Sequence, residues 1–289
     1  MYPSRFRYEA PRSLDEARAL LVQHGDEAKV LAGGQSLVPL LKLRFAAPEL
    51  LVDINGVPGL GHHTEDADGT LRIGALCRHV DLERSELLAA RHPLMASAAP
   101  LIADPIVRNR GTLVGSLCHC DPQGDWASVL LALGGHVVAE GPHGRRTIPM
   151  AEFCLGPFQN ALRPGEIAVE AVAPAPRGAA SGTYLKLERR VGDFATVGVA
   201  VALETAGGRV VRAGIALTGV GPNNISATAA EQALVGRPLT AETVEEAAQL
   251  AADAARPKGD HRGSAAYKRH VVATFVRRGL ARTDLEVAA

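Results

Sequence analysis

The spacing of apolar positions changes several times along this chain, and each change marks an element. Residues 13–24 place Leu14, Ala17, Leu20 and Leu21 at helical intervals, with Ser13 as N-cap and Glu16 as its capping-box partner. Residues 29–32 form a short apolar strand that runs into Gly33, Gly34, Gln35 and Ser36, and a second helical pattern follows through Leu40, Leu41 and Leu43. Residues 50–54 and 71–76 read as strands, with Asn55-Gly56 as a turn, and residues 81–88 and 93–102 as helices, the second ending before Pro105. Residues 127–133 are an apolar segment, and 137–140 pairs with 145–148 across a tight turn. Residues 171–182, rich in proline, alanine and glycine, read as a linker and domain boundary. Beyond it come strands at 183–188, 197–204 and 209–218, then helices at 225–234, 241–255 and 264–279. Alternating α and β material followed by strands and then helices predicts an α+β chain.

Two glycine turns interrupt this pattern. The first, Gly33 to Ser36, sits between a strand and a helix, where free backbone N–H groups and the helix dipole favour an anion. It lacks the closing Lys-Ser or Lys-Thr of a Walker loop and the GxGxxG spacing of a Rossmann fold. The second, residues 111–126, gathers Gly111, Thr112, Gly115, Ser116, Gly124 and Asp125, combining close-approach glycines with hydroxyls suited to phosphate oxygens. Two cradles far apart in sequence suggest a ligand bearing a diphosphate.

Composition narrows the class. Lysine plus arginine and aspartate plus glutamate number 31 each in 289 residues, a balance that argues against nucleic-acid partners and polybasic membrane binding. No apolar run approaches the ~20 residues of a membrane span. The first residues lack a secretory core and four cysteines make no disulfide framework, so the expected location is cytoplasmic.

The motifs Ala32-Gly33-Gly34-Gln35-Ser36-Leu37, Thr112-Leu113-Val114-Gly115-Ser116 and His119-Cys120-Asp121-Pro122 resemble those of the FAD-binding medium subunit of molybdenum hydroxylases, the family of carbon monoxide dehydrogenase and xanthine dehydrogenase. Tyr184-Leu185-Lys186, Gly192-Asp193-Phe194-Ala195 and Asp260-His261-Arg262-Gly263-Ser264 extend the resemblance to the C-terminal part. It implies an FAD-binding region of two α/β subdomains, 1–56 and 57–176, outside the Rossmann class, and an α+β domain at 177–289. Under it, Gly33 to Ser36 and Thr112 to Ser116, including Val114 in place of a common glycine, hold the diphosphate, with Ala32, Leu37 and Gly111 beside them among the cofactor-binding residues. His119 and Asp121 belong to the same FAD-binding motif, and Asp125 accepts from ribose or ribityl hydroxyls. Ile102 and Leu162 lie against the adenine or the flavin through their backbones, Lys186 meets the pyrimidine edge, and Phe194 stands where the family often has a tyrosine. The implied function is electron relay: a large molybdenum-cofactor subunit oxidises substrate, a small iron–sulfur subunit carries electrons, and this chain passes them to an external acceptor. The alternative is a stand-alone FAD-dependent oxidase or dehydrogenase of a small molecule.

Cys118, His119 and Cys120 do not suggest a metal site, because alternating ligands in one extended segment do not converge on a tetrahedral ion. They read as a strand or turn whose thiols pack beneath the cofactor. His62-His63 is assigned no role, Arg277-Arg278 reads as a solvated helix face or a partner contact, and no catalytic or metal-ligating residue is expected on this chain.

Overall fold

The computed structural model describes residues 2–287, with side-chain environments through residue 283. A parallel three-stranded sheet comes first, in the order Arg7–Glu9, Leu50–Asp53, Ala28–Leu31, with the Leu14–His24 helix packed on it. Ser13 caps that helix by accepting from the Glu16 N–H at 3.1 Å, as expected. The Glu16 carboxylate reaches one residue further back, to the Arg12 N–H, so the reciprocal half of the box is displaced.

An antiparallel five-stranded sheet follows, ordered His63–Glu65, Leu71–Gly74, Ile167–Ala173, His136–Gly141, Gly144–Pro149. Its central strand, Ile167–Ala173, overlaps the stretch read as a linker. The pattern Ile-Ala-Val-Glu-Ala-Val-Ala is buried along nearly its whole length, so its alanines are core residues rather than linker spacers. The connecting segment shrinks to residues 174–178, because Ala179–Leu187 is already the first strand of the next sheet. The helix expected at 81–88 is two helices, His79–Glu83 and Glu86–Arg91, divided where the Ser85 hydroxyl caps the second.

The C-terminal sheet runs Ala179–Leu187, Val197–Ala206, Arg209–Thr218, Ile225–Ser226, all antiparallel. Alternation along Val197–Ala206 sorts its two faces by size. Val197, Val199, Val201 and Leu203 face a core shared with the helices Thr228–Leu234, Ala241–Ala254 and Ala265–Val287. Ala200 and Ala202 join the core of the preceding region, where Leu94 and Trp126 are packed. The opposing face is therefore built from small residues, and helices approach it closely. A Cβ at Gly182 would lie 2.7 Å from Leu94 Cβ, and one at Gly214 would lie 2.7 Å from the Ala132 carbonyl carbon.

That closeness makes a stability prediction. Gly214→Ala places a methyl against rigid helix backbone and should lower unfolding free energy by about 1–3 kcal/mol, the usual cost of overpacking, as read by urea denaturation.

Candidate functional site

Glycine 33 lies where the two glycine turns touch. A Cβ there would meet Gly111 Cα at 2.8 Å and the Arg110 carbonyl oxygen closer still, so only glycine permits the contact. Gly34 follows at φ +74°, a left-handed geometry costly for a side-chain-bearing residue. A polar staple holds the turns together. Asn55 Nδ2 donates to the Ala32 carbonyl at 2.8 Å, and Arg78 donates both to Asn55 Oδ1 and to the Arg110 carbonyl. Burial and the neighbouring Arg110 hold the Arg78 guanidinium below its ordinary pKa. Neither Asn55 nor Arg78 was legible as a site residue, since each sits in an ordinary turn or cap and acts through contacts distant in sequence.

The touching turns wall a cleft of about 740 Å³, within the range of pockets that enclose small ligands and cofactors. Every residue expected at the cofactor lines it except Asp121. Asp121 caps its own turn instead, accepting from the Gln123 N–H at 2.9 Å through Oδ1. The second turn opens into a helix, Leu113–His119, where a strand or turn was expected for its later residues; the Thr112 hydroxyl caps it by accepting from Gly115 N–H at 3.1 Å. The helical twist separates the two thiols. Cys118 lines the cleft, whereas Cys120 takes a left-handed turn at the helix end and donates to the Leu117 carbonyl at 3.1 Å. Burial pushes the Cys118 thiol up to about 12, so it stays protonated and unreactive near neutral pH. His119, its pKa lowered by burial, packs against Phe158 with ring centroids 5.1 Å apart.

The far wall is a corner at Ile102 and Ala103. Buried Arg108 donates to both carbonyls, at 3.0 and 2.9 Å, and pairs with Glu83 at 2.8 Å. Ala103 is held at φ +49°, and Gly192 is pressed against it, which brings Phe194 to the cleft mouth, about half exposed.

Lys186 and Asp125 are more deeply committed to the protein than the sequence suggested. Lys186 Nζ donates to Asp125 Oδ2 at 3.0 Å and to the Leu101 carbonyl at 2.8 Å, with its side chain only 2% exposed. Asp125 Oδ1 accepts from the Tyr184 hydroxyl at 2.6 Å. Burial raises the Asp125 pKa even though the Lys186 charge and the Tyr184 hydrogen bond oppose it. The expected acceptor of ligand hydroxyls therefore has two protein donors already, and only its remaining lone pairs are open.

The chemistry of the lining fits a dinucleotide. Ser36 and Ser116 line the cleft and their hydroxyls make no hydrogen bond to the described residues, and a cradle that any Cβ would fill stands ready for the close approach of phosphate oxygens. These features define a dinucleotide-binding protein outside the Rossmann class. A family model described as the FAD binding domain in molybdopterin dehydrogenase matches residues 4–176, and one described as the CO dehydrogenase flavoprotein C-terminal domain matches residues 182–283. The chain belongs to this flavoprotein family of molybdopterin dehydrogenases, its class is oxidoreductase, and its cofactor is FAD. It is 44% identical to the carbon monoxide dehydrogenase medium chain of Hydrogenophaga pseudoflava over 97% of both chains. It is 40% identical to the 6-hydroxypseudooxynicotine dehydrogenase complex subunit alpha of Paenarthrobacter nicotinovorans over 98% of this chain and 95% of that one. A solved structure of the Hydrogenophaga pseudoflava carbon monoxide dehydrogenase superposes with a TM-score of 0.94 at 46% identity, covering 98% of each chain. The family expected from the motifs is the family found.

Two outcomes follow from the buried groups. Lys186→Met should cost about 3–5 kcal/mol by leaving the Asp125 carboxylate buried without its cation. Adding Asp125→Asn should recover part of that loss in urea unfolding, which exposes the coupling between the two. The second concerns His79, whose pKa burial first, and Arg108 and Arg78 next, bring down from 6.5 to about 4. Between those values the unfolded chain binds a proton that the folded chain refuses, so stability held above pH 6.5 falls as pH drops towards 4. Replacing His79 by Gln should flatten the stability-versus-pH curve in that window by about 3 kcal/mol in total, measured by urea titrations from pH 7 to pH 4.

Proposed function

We propose that this chain is the electron-relay medium subunit of a three-component molybdenum hydroxylase. The observation that carries the reading is the convergence of two sequence-distant glycine turns on one cleft at the seam with the C-terminal sheet, with Gly33 at their closest contact. Ala32 to Leu37 and Gly111 to Ser116 hold the diphosphate through backbone N–H groups and the Ser36 and Ser116 hydroxyls. The Leu113 and Val114 N–H groups lie in the first turn of their helix, where no intrahelical acceptor exists, so valine in place of glycine leaves the donors intact. His119, at the other end of that helix, and Leu162 form further parts of the wall, and the open lone pairs of Asp125 accept from ribose or ribityl hydroxyls. Lys186 fixes the Leu101 carbonyl beside Ile102 and sets a positive charge in the wall facing the pyrimidine edge. Phe194 supplies an aromatic surface at the mouth.

Bound there, FAD supplies a group that exchanges single electrons with iron–sulfur clusters and electron pairs with an organic acceptor. Partner subunits carry the molybdenum cofactor and the clusters. Relatives named for carbon monoxide and for 6-hydroxypseudooxynicotine align along nearly the whole chain, which supports a substrate pocket on another subunit. The stand-alone oxidase reading has less support, because Asp125 is already engaged and His79 is a weak base, its pKa lowered by burial and its Nδ1 taken by Trp126. We divide the chain into units at 1–56, 57–176 and 177–289, each contributing to the cleft. A cytoplasmic location accords with four free cysteines, and among the described residues no helix is long and apolar enough to cross a membrane.

Two measurements test the reading. Purified chain should bind FAD and turn yellow, and Gly33→Asp should weaken flavin binding at least about tenfold by forcing the turns apart. Affinity purification from the native host should bring down two further polypeptides together with molybdenum and iron; a chain recovered alone, turning over a small substrate unaided, would sink the relay assignment.

A further inference from the structure

One group on the cleft wall lies outside the motifs that carry the resemblance. His79 begins the His79–Glu83 helix, and its backbone N–H donates to the Gly111 carbonyl at 2.9 Å, which ties it to the second glycine turn. Its ring lies against Trp126, with centroids 6.1 Å apart, and its Nδ1 sits 3.1 Å from the Trp126 indole Nε1. An indole N–H can only donate. Nδ1 is therefore the acceptor and carries no proton, and a neutral imidazole in that state bears its hydrogen on Nε2.

Nε2 makes no hydrogen bond to the described residues, although His79 is only 5% exposed and lines the cleft. Its edge is turned towards Gly111: a Cβ added at that glycine would lie 2.9 Å from Nε2 and 2.8 Å from Cδ2. The glycine thus serves both the contact with Gly33 and the access of the imidazole edge. Trp126 is itself 1% exposed and has no freedom to release the ring. Burial first, and then Arg108 and Arg78, disfavour a positive imidazole, which keeps the ring in its neutral form.

We infer that His79 is a further cofactor-binding residue, whose Nε2–H, fixed in direction by Trp126, donates a hydrogen bond to an oxygen of the bound dinucleotide beside Gly111. This rests on the FAD-site reading above. The donor is neutral and set in its tautomer before the ligand arrives, so binding requires no proton uptake.

The full-length chain, stripped of flavin, provides the test. In ¹⁵N-histidine-labelled protein the His79 signal, assigned by its loss in His79→Gln, should show the proton on Nε2 at neutral pH. A proton on Nδ1 would overturn the inference without reference to any ligand. FAD, ADP and riboflavin are then titrated against parent, His79→Leu and His79→Gln. Loss of one hydrogen bond should weaken FAD about tenfold in the leucine variant, while glutamine, which keeps a side-chain N–H, should recover most of it. A matching loss with ADP supports a phosphate oxygen as the acceptor, and one with riboflavin a ribityl hydroxyl. Circular dichroism and urea midpoints of the flavin-free variants separate misfolding from a lost contact. If parent and leucine variant bind all three ligands equally, the inference falls and the FAD site stands; if the parent takes up no FAD, both fall.

Discussion

The hydrogen-bonded pair of Lys186 and Asp125 is the constraint on which the rest of the cleft depends. Lys186 comes from the first strand of the C-terminal sheet and Asp125 opens the Asp125–Leu133 helix of the preceding region. Around them Tyr184, Thr218, Ser128 and Asn224 continue the chain of hydrogen bonds across the seam. The apolar part of that seam is a face of alanines and glycines, which attracts but offers little relief to fix one alignment over another. Directional polar contacts supply the missing specificity. A buried ion pair contributes little net stability over an apolar substitute, so its value here lies in seating the sheet in one position.

From that seat the cleft wall is suspended in steps. Lys186 also holds the Leu101 carbonyl, Arg108 holds the two carbonyls that follow, and the Ala103 backbone is kept in a left-handed conformation that an alanine would otherwise leave. Gly192 packs on Ala103 and carries the Phe194 loop with it. A negative Asp125 in the first turn of its helix is favoured by the dipole, which partly offsets the cost of burying it. The same two residues therefore hold the architecture and line the cleft. In the proposed site, changes there would alter stability and flavin binding together, whereas the Ser36 and Ser116 hydroxyls carry no such structural contact among the described residues.

Much of this was legible in the chain, and the failures have physical reasons. Both glycine turns, the Ser13 cap and the strands of the C-terminal sheet follow from local signals: positive φ, capping hydroxyls and the period of buried residues. Residues 171–182 resist reading because alanine and glycine have low strand propensity, yet a central strand buried along nearly its whole length accepts small residues. The Cys118–Cys120 segment was read as extended because its short run of apolar and small residues has no clear period, while the Thr112 cap commits it to helix. Asn55, Arg78 and His79 escaped notice since their partners lie far away in sequence, and only the fold brings Asn55 to Ala32 or His79 to Trp126. Asp121 was drawn in by its motif, but its carboxylate serves the turn that delivers Asp125.

The charges at the cleft reveal how an anion would be held there. Asp125 is matched by Lys186, Glu166 by Arg146, and Asp193 by Arg189 and Arg262, so these charged linings are neutralised within the protein. Asp26, Lys29 and Arg163 also line the cleft, and beside them the open groups include dipoles: the Ser36 and Ser116 hydroxyls, the first N–H groups of the Leu113–His119 helix and the Nε2–H of a neutral His79. Where those dipoles meet a diphosphate, no long side chain has to be ordered to make the contact, and the lost side-chain entropy is correspondingly small. Such a cradle depends on position rather than charge. In the proposed site its donors must already lie at hydrogen-bond distance from the phosphate path, and the contact between Gly33 and Gly111 is what sets the spacing of the two turns.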